Sequence, residues 1–174
     1  VSLMISAMLN ICETAEVKRI FSGNDIDIRT IGQQPTVVFL VMPDNVNTYT
    51  WITSMFYTQM FDTLIRIADD EVKGPLPYEV QVWMDEFYAG ARPADTEKLL
   101  GVIRSRNISM VPILQSIAQA KTIYPNEKWE IMMDNMAAVV FLGSGPQAKS
   151  THEYISETLG NATVDLSLIH ISEP

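Results

Sequence analysis

One stretch constrains this chain more than any other: Glu79–Gly90, EVQVWMDEFYAG. An apolar run, Val80, Val82, Trp83 and Met84, stops at two adjacent carboxylates, Asp85 and Glu86. A short run rich in β-branched and aromatic residues, entered through GPLPYE, predicts a buried strand of an α/β sheet. Burying two carboxylates inside such a sheet would cost several kcal/mol, so the pair belongs at the strand's carboxyl end. Open α/β sheets bind their ligands along that edge.

The composition narrows the context. With 174 residues and 47% hydrophobic content, the chain is long enough for one packed core and too apolar for disorder. Twenty-one acids against 12 bases give a net charge of −9, which disfavours a broad nucleic-acid-binding surface on these residues. A single cysteine, Cys12, excludes an internal disulfide and makes a reducing compartment the expectation. His152 and His170 stand far apart with no cysteine nearby, so no metal-ligand cluster is expected of them. The apolar segment Tyr49–Ala68 is broken by Gln59, Asp62 and Arg66, which a membrane-spanning helix rarely tolerates. Because the sequence opens at Val1 inside a helical pattern, it is expected to be part of a longer protein.

Along the chain, Ser2–Phe21 has a helical apolar face. Ile26–Ile31 alternates as a half-buried strand, and Thr36–Met42, TVVFLVM, predicts an interior parallel strand. After the turn at Pro43–Asn45 comes a long helix, Thr48–Ala68. A loop, Phe87–Ala94, follows the two acids, and Asp95 is the expected N-cap of a helix running to Arg106. Ile108–Leu114 predicts another strand, with Pro112 demanding a bulge or an edge. Helices Ser116–Tyr124, Trp129–Asn135 and Gln147–Leu159, and a strand Ala137–Gly143, complete the pattern, with Gly160 as a helix stop. Strands alternating with helices predict a mainly parallel α/β sheet flanked by helices.

Several motifs carry chemistry. A hydrophobic strand ending in Asp-Glu is the Walker B pattern: the first acid orders Mg²⁺, usually through water, and the second polarises the water that attacks a γ-phosphate. Arg104–Asn107, RSRN, follows one helix later; arginines at a helix end are dipole partners or reach a neighbouring subunit's nucleotide. Gln115, at the end of the next strand, could hydrogen-bond a γ-phosphate or the attacking water. A competing motif, GSGPQAKS at Gly143–Ser150, satisfies G-x-G-x-x-A, with Asp165 near the distance of a ribose-binding acid. That reading would make Gly143, Gly145 and Asp165 a dinucleotide site, although Pro146 removes an amide from the cradle. A plain strand-to-helix turn is the other reading. A third class is a non-catalytic adaptor that recruits substrate proteins through its acidic surface.

The segments VWMDEFYAG, IRSRNISMVPILQSIAQ and FLGSGPQAKSTHEYISETLGNATV, with VVFLVMPDN upstream, resemble the type IV secretion coupling ATPases of conjugation, the TraG/TraD family, grouped with the FtsK/HerA DNA motors. The resemblance spans about residues 20–165. It implies a partial RecA-like P-loop NTPase core over residues 22–165 and, in residues 1–21, the end of an all-helical insertion domain. It further implies ATP and Mg²⁺ as ligands, Asp85 as the Mg²⁺-side acid, Glu86 as catalytic base, Arg104 as a trans-acting arginine, Arg106 as a second one, and Gln115 as sensor. Single-stranded DNA, a relaxase complex, secretion-channel components and a hexameric ring are the implied partners, at the cytoplasmic face of a bacterial membrane. No G-x-x-x-x-G-K-[ST] occurs in the chain, so the phosphate-binding lysine and the membrane anchor are expected upstream of Val1. The resemblance makes GSGPQAKS an ordinary turn. Leu166–Pro174, LSLIHISEP, departs from it and has the look of a non-native tail.

Overall fold

The computed structural model describes residues 13–23, 26–42 and 49–160. The first twelve residues, the Pro43–Asn45 turn, Asp165, His170 and the 166–174 tail lie outside the described residues. The elements in order are α1 (Ala15–Ile20), α2 (Thr50–Arg66), β1 (Val80–Met84), α3 (Thr96–Ile103), β2 (Ile108–Pro112), α4 (Ile117–Ile123), α5 (Lys128–Asp134) and α6 (Lys149–Leu159). Two short 3₁₀ turns, Ile28–Thr30 and Arg104–Arg106, and a π-helical turn, Ile67–Val72, extend this set.

β1 and β2 pair in parallel, with Val80 opposite Ile108 and Met84 opposite Pro112. A parallel pair needs a crossover, and α3 with its 3₁₀ turn supplies it. On β1, Val80, Val82 and Met84 point into the core while Gln81 and Trp83 point out, Trp83 being 65% exposed. The expected strand is therefore present, but buried on one face only. Its inner face belongs to one core with Phe61 and Leu64 of α2, Ile67 of the π-helical turn, Phe87, Ile103 and Met132. Burial of side chains of this size contributes about 1.5–3 kcal/mol each.

Pro112 ends β2 without a bulge. The N–H of Ile113 donates to the Met84 carbonyl (3.0 Å), so odd-numbered residues of β2 turn their amides to β1. The nitrogen of Pro112 faces the opposite side, where no described strand pairs, and the missing N–H costs nothing there. The sequence expectation of an edge is met.

Three expected strands are absent among the described residues. Ile26–Ile31 instead contains the 3₁₀ turn, because the Asp27 carboxylate accepts the Arg29 N–H (3.0 Å) and the Thr30 hydroxyl donates to the Asp27 carbonyl (2.8 Å). Such local bonds offer the backbone an alternative to a ladder. Thr36–Met42 lacks strand pairing, and its backbone makes no hydrogen bond to other described backbone. Val37, Phe39 and Val41 are exposed, while Val38 and Met42 touch the core. The segment borders a groove of about 820 Å³ that it shares with Phe56, Met60 and Trp83. Ala137–Gly143 is likewise unpaired, with Val140 and Leu142 exposed.

Gly32 fixes the lead into β1. It has φ +75°, its carbonyl accepts the Tyr78 N–H (3.0 Å), and a Cβ would stand 2.9 Å from side-chain atoms of both Leu76 and Val80.

Candidate active site at the carboxyl end of the parallel pair

β1 delivers Asp85 and Glu86 to the carboxyl edge of the sheet, where both are exposed. Glu86 takes φ +49°, a left-handed conformation uncommon for a residue with a long side chain. Such a conformation costs on the order of 1 kcal/mol and persists only where surrounding bonds impose it. Here the Asp85 Oδ1 accepts the Glu86 N–H (3.0 Å), and the Glu86 carbonyl accepts the N–H groups of Ala89 (3.0 Å) and Gly90 (2.7 Å). The next residue continues the ladder, the Phe87 N–H donating to the Ile113 carbonyl (3.1 Å). Phe87 is buried, so the loop is pinned one residue beyond the acid.

β2 and the turn after it deliver Gln115 to the same edge. Its Nε2 donates to both carboxylate oxygens of Glu86, at 3.1 and 3.2 Å. Asp85, Glu86 and Gln115, far apart in sequence, thus form one cluster. Asp85 accepts the Glu86 N–H through Oδ1, and its Oδ2 accepts no hydrogen bond from another described residue. Among the described residues, no group of three or more His, Cys, Asp or Glu side chains could hold a metal. A site offering one or two carboxylates suits Mg²⁺, which keeps several waters and completes its shell with phosphate oxygens. It does not suit Zn²⁺, which needs three or four protein ligands.

Arg104 and Arg106 are not part of this cluster. They precede Ile108, which pairs with Val80, whereas the acids follow Met84 at the other end of the strands. Five strand residues at about 3.3 Å each separate the two groups by roughly 16 Å. The two arginines also differ from each other. Arg106 makes a two-point ion pair with Asp69 (Nε and Nη2, both 2.8 Å) on the π-helical turn and donates to the Val102 carbonyl (2.5 Å). That hydrogen-bonded pair holds the Asp69 carboxyl below its ordinary value and pushes the Arg106 guanidinium up. Arg104 is exposed, and its side chain makes no hydrogen bond or ion pair to another described residue.

Two residues that the sequence reading passes over shape the site. Arg92 donates to the carbonyls of Phe87 (2.9 Å) and Tyr88 (2.6 Å) and lies over the Phe87 ring, closing the loop after the acids. Gln119 bonds Gln115 twice: its Oε1 accepts the Gln115 N–H (2.8 Å) and its Nε2 donates to Gln115 Oε1 (3.4 Å). Ser116-x-x-Gln119 is a capping-box spacing, a signal that could have singled out Gln119. Asp95 is the N-cap of α3, as expected, but it does not cap in the usual way. It sits at φ +49° and caps α3 through its carbonyl, which accepts the Lys98 and Leu99 N–H groups, not through its side chain.

The GSGPQAKS segment is a turn into α6, with the Ala148 N–H donating to the Gly145 carbonyl (3.0 Å). A dinucleotide fingerprint requires a strand before the glycines, and residues 137–143 form none. His152 is engaged nearby, its Nε2 2.8 Å from the Ser144 hydroxyl.

The described residues thus form an α/β unit whose two parallel strands carry a carboxylate pair and an amide at their carboxyl end. Its family follows from a direct comparison: the model of the type IV secretory system conjugative DNA transfer family matches residues 1–172. The chain belongs to that family and so takes part in conjugative DNA transfer by a type IV secretion system. No curated protein and no solved structure matches it. Among the described residues, no helix is long and apolar enough to cross a membrane.

Proposed function

We propose that this chain carries half of the hydrolytic site of an ATP-driven DNA translocase with a RecA-like P-loop core, of the TraG/TraD coupling type. The observation that carries the reading is the hydrogen bond from Gln115 to Glu86 at the carboxyl edge of the parallel strands. A carboxylate held by an amide, on a strained backbone beside a second acid, suits the positioning of a water against a phosphoryl group. Bound Mg²⁺ would supply charge neutralisation on the phosphates. Asp85 would hold this ion or its water. Glu86 accepts the water's proton, and Gln115 holds Glu86 in place and contacts the water or the γ-phosphate. No G-x-x-x-x-G-K-[ST] occurs in residues 1–174, so the phosphate cradle is not assigned to them.

Arg104 fits a trans-acting role. It lies too far from its own chain's acids to serve them, and it has no described partner to occupy it. In a ring, the arginine of one subunit would stabilise developing charge at the next subunit's site. Arg106, occupied by Asp69, supports the Arg104 turn in place of acting as a second finger. The remaining elements of the proposal are single-stranded DNA with a bound relaxase as cargo, secretion-channel components as partners, a hexameric ring, and placement at the cytoplasmic face of the membrane.

Subunit mixing tests the trans assignment in the full-length protein. Arg104→Ala and Glu86→Gln proteins, each inactive alone, should regain part of the ATPase activity when co-assembled, because some interfaces then carry both intact groups. No recovery at any ratio would contradict it.

A further inference from the structure

We propose that Gln119 is a positioning residue of this site, fixing which end of the Gln115 side-chain amide faces Glu86. The inference rests on Glu86 being the acid that acts on the substrate. A carboxylate only accepts hydrogen bonds, whereas an amide side chain has an NH₂ end and an oxygen end of nearly equal shape. Only the NH₂ end can hold Glu86. If the amide turned over, its oxygen would meet the Glu86 carboxylate, two acceptors face to face.

Gln119 opposes that reversal. Its Nε2 faces Gln115 Oε1 at 3.4 Å, so reversal would also bring two NH₂ groups together. Its Oε1 is anchored by the Gln115 backbone N–H at 2.8 Å, which fixes the orientation of Gln119 itself. The base of this relay is firm. Gln119 lies in the first turn of α4, and the Ile117 N–H at the start of that helix donates to the Thr151 hydroxyl of α6 at 3.1 Å, Thr151 being buried. Orientation is therefore passed from the α4–α6 packing through Gln119 and Gln115 to Glu86.

The competing role for Gln119 is a helix cap only, through its acceptor oxygen. Gln119→Glu separates the two, because it keeps an acceptor for the Gln115 N–H and removes the donor to Gln115 Oε1. In isotope-labelled full chain, nuclear Overhauser effects between the Gln115 NH₂ protons and the Glu86 γ-protons should be clear in the wild type. They should weaken at least severalfold in Gln119→Glu while the α4 amides keep their exchange protection. Full-strength Overhauser effects in that variant would overturn the proposal. If α4 loses protection in Gln119→Glu, Gln119→Lys decides, since it retains a donor and lacks the acceptor. Persistence of the Overhauser effects in Gln119→Lys supports the proposal, and their disappearance overturns it. In assembled full-length protein, Gln119→Glu should lower kcat for ATP about tenfold with KM unchanged, the pattern of a misplaced reacting group. A raised KM with unchanged kcat would contradict the positioning role. If the wild type shows no ATP turnover, the hydrolysis reading fails, and the Overhauser effects still decide the role of Gln119.

Discussion

The Gln115 amide donates to both oxygens of Glu86, at 3.1 and 3.2 Å, joining the ends of two parallel strands through their side chains. The backbone joins them as well: Ile113 donates to Met84 and accepts from Phe87. Side-chain and main-chain bonds therefore fix the Glu86 carboxylate relative to β2, and a ligand bound at this edge would meet a preorganised acid.

Replacing Gln115 with Ala should separate function from stability. The side chain is exposed and lies outside the core, so stability in denaturant should stay within about 0.5 kcal/mol of wild type. ATP turnover by the full-length assembly should fall about 10- to 100-fold, as expected when a reacting group loses its placement. Paired urea titrations and steady-state assays check this.

Arg106→Ala and Asp69→Asn should each lower the thermal midpoint, and the double variant should be little worse than either, because both remove one ion pair. The pH dependence follows from the depressed Asp69 carboxyl. A carboxyl whose value is lowered by folding contributes stability above its unfolded value, about 3.9, and loses it as pH falls through the lower folded value. The difference in melting temperature between wild type and Asp69→Asn should thus be full at neutral pH and shrink as the pH falls below the unfolded carboxyl value and through the depressed folded one. Arg104→Ala, which breaks no described bond, should leave the midpoint unchanged at every pH.

Gly32→Ala should destabilise the chain by about 1–2 kcal/mol, from the left-handed conformation alone. Displacement of Leu76 and Val80 adds to this, since the new Cβ meets both. Equilibrium unfolding in urea measures it. The loss should reach the site, since Val80 opens the strand that carries the acids.

How much of this can be read from the sequence depends on what each segment needs from its neighbours. Val80–Met84 and Ile108–Pro112 are legible because an apolar run closed by polar residues is a local signal, and each supplies the other's partner. Asp85, Glu86 and Gln115 are legible as three residues at strand ends, and register alone then brings them together. Thr36–Met42 and Ala137–Gly143 carry equally strong strand patterns, yet a strand exists only where a neighbouring edge accepts its hydrogen bonds, and none of the described strands does. Ile26–Ile31 misleads because Asp27 and Thr30 satisfy the backbone locally. The split between Arg104 and Arg106 is invisible in the sequence, since the partner of Arg106, Asp69, lies 37 positions away.

The most direct test of the central claim is ATP binding and hydrolysis by full-length protein carrying Glu86→Gln. The substitution keeps the side chain's size and removes its ability to accept a proton. ATP affinity should stay within about twofold of wild type, while turnover should fall at least about a hundredfold, the range removed with a general base. Wild-type turnover in that variant would contradict the assignment of Glu86 as the base.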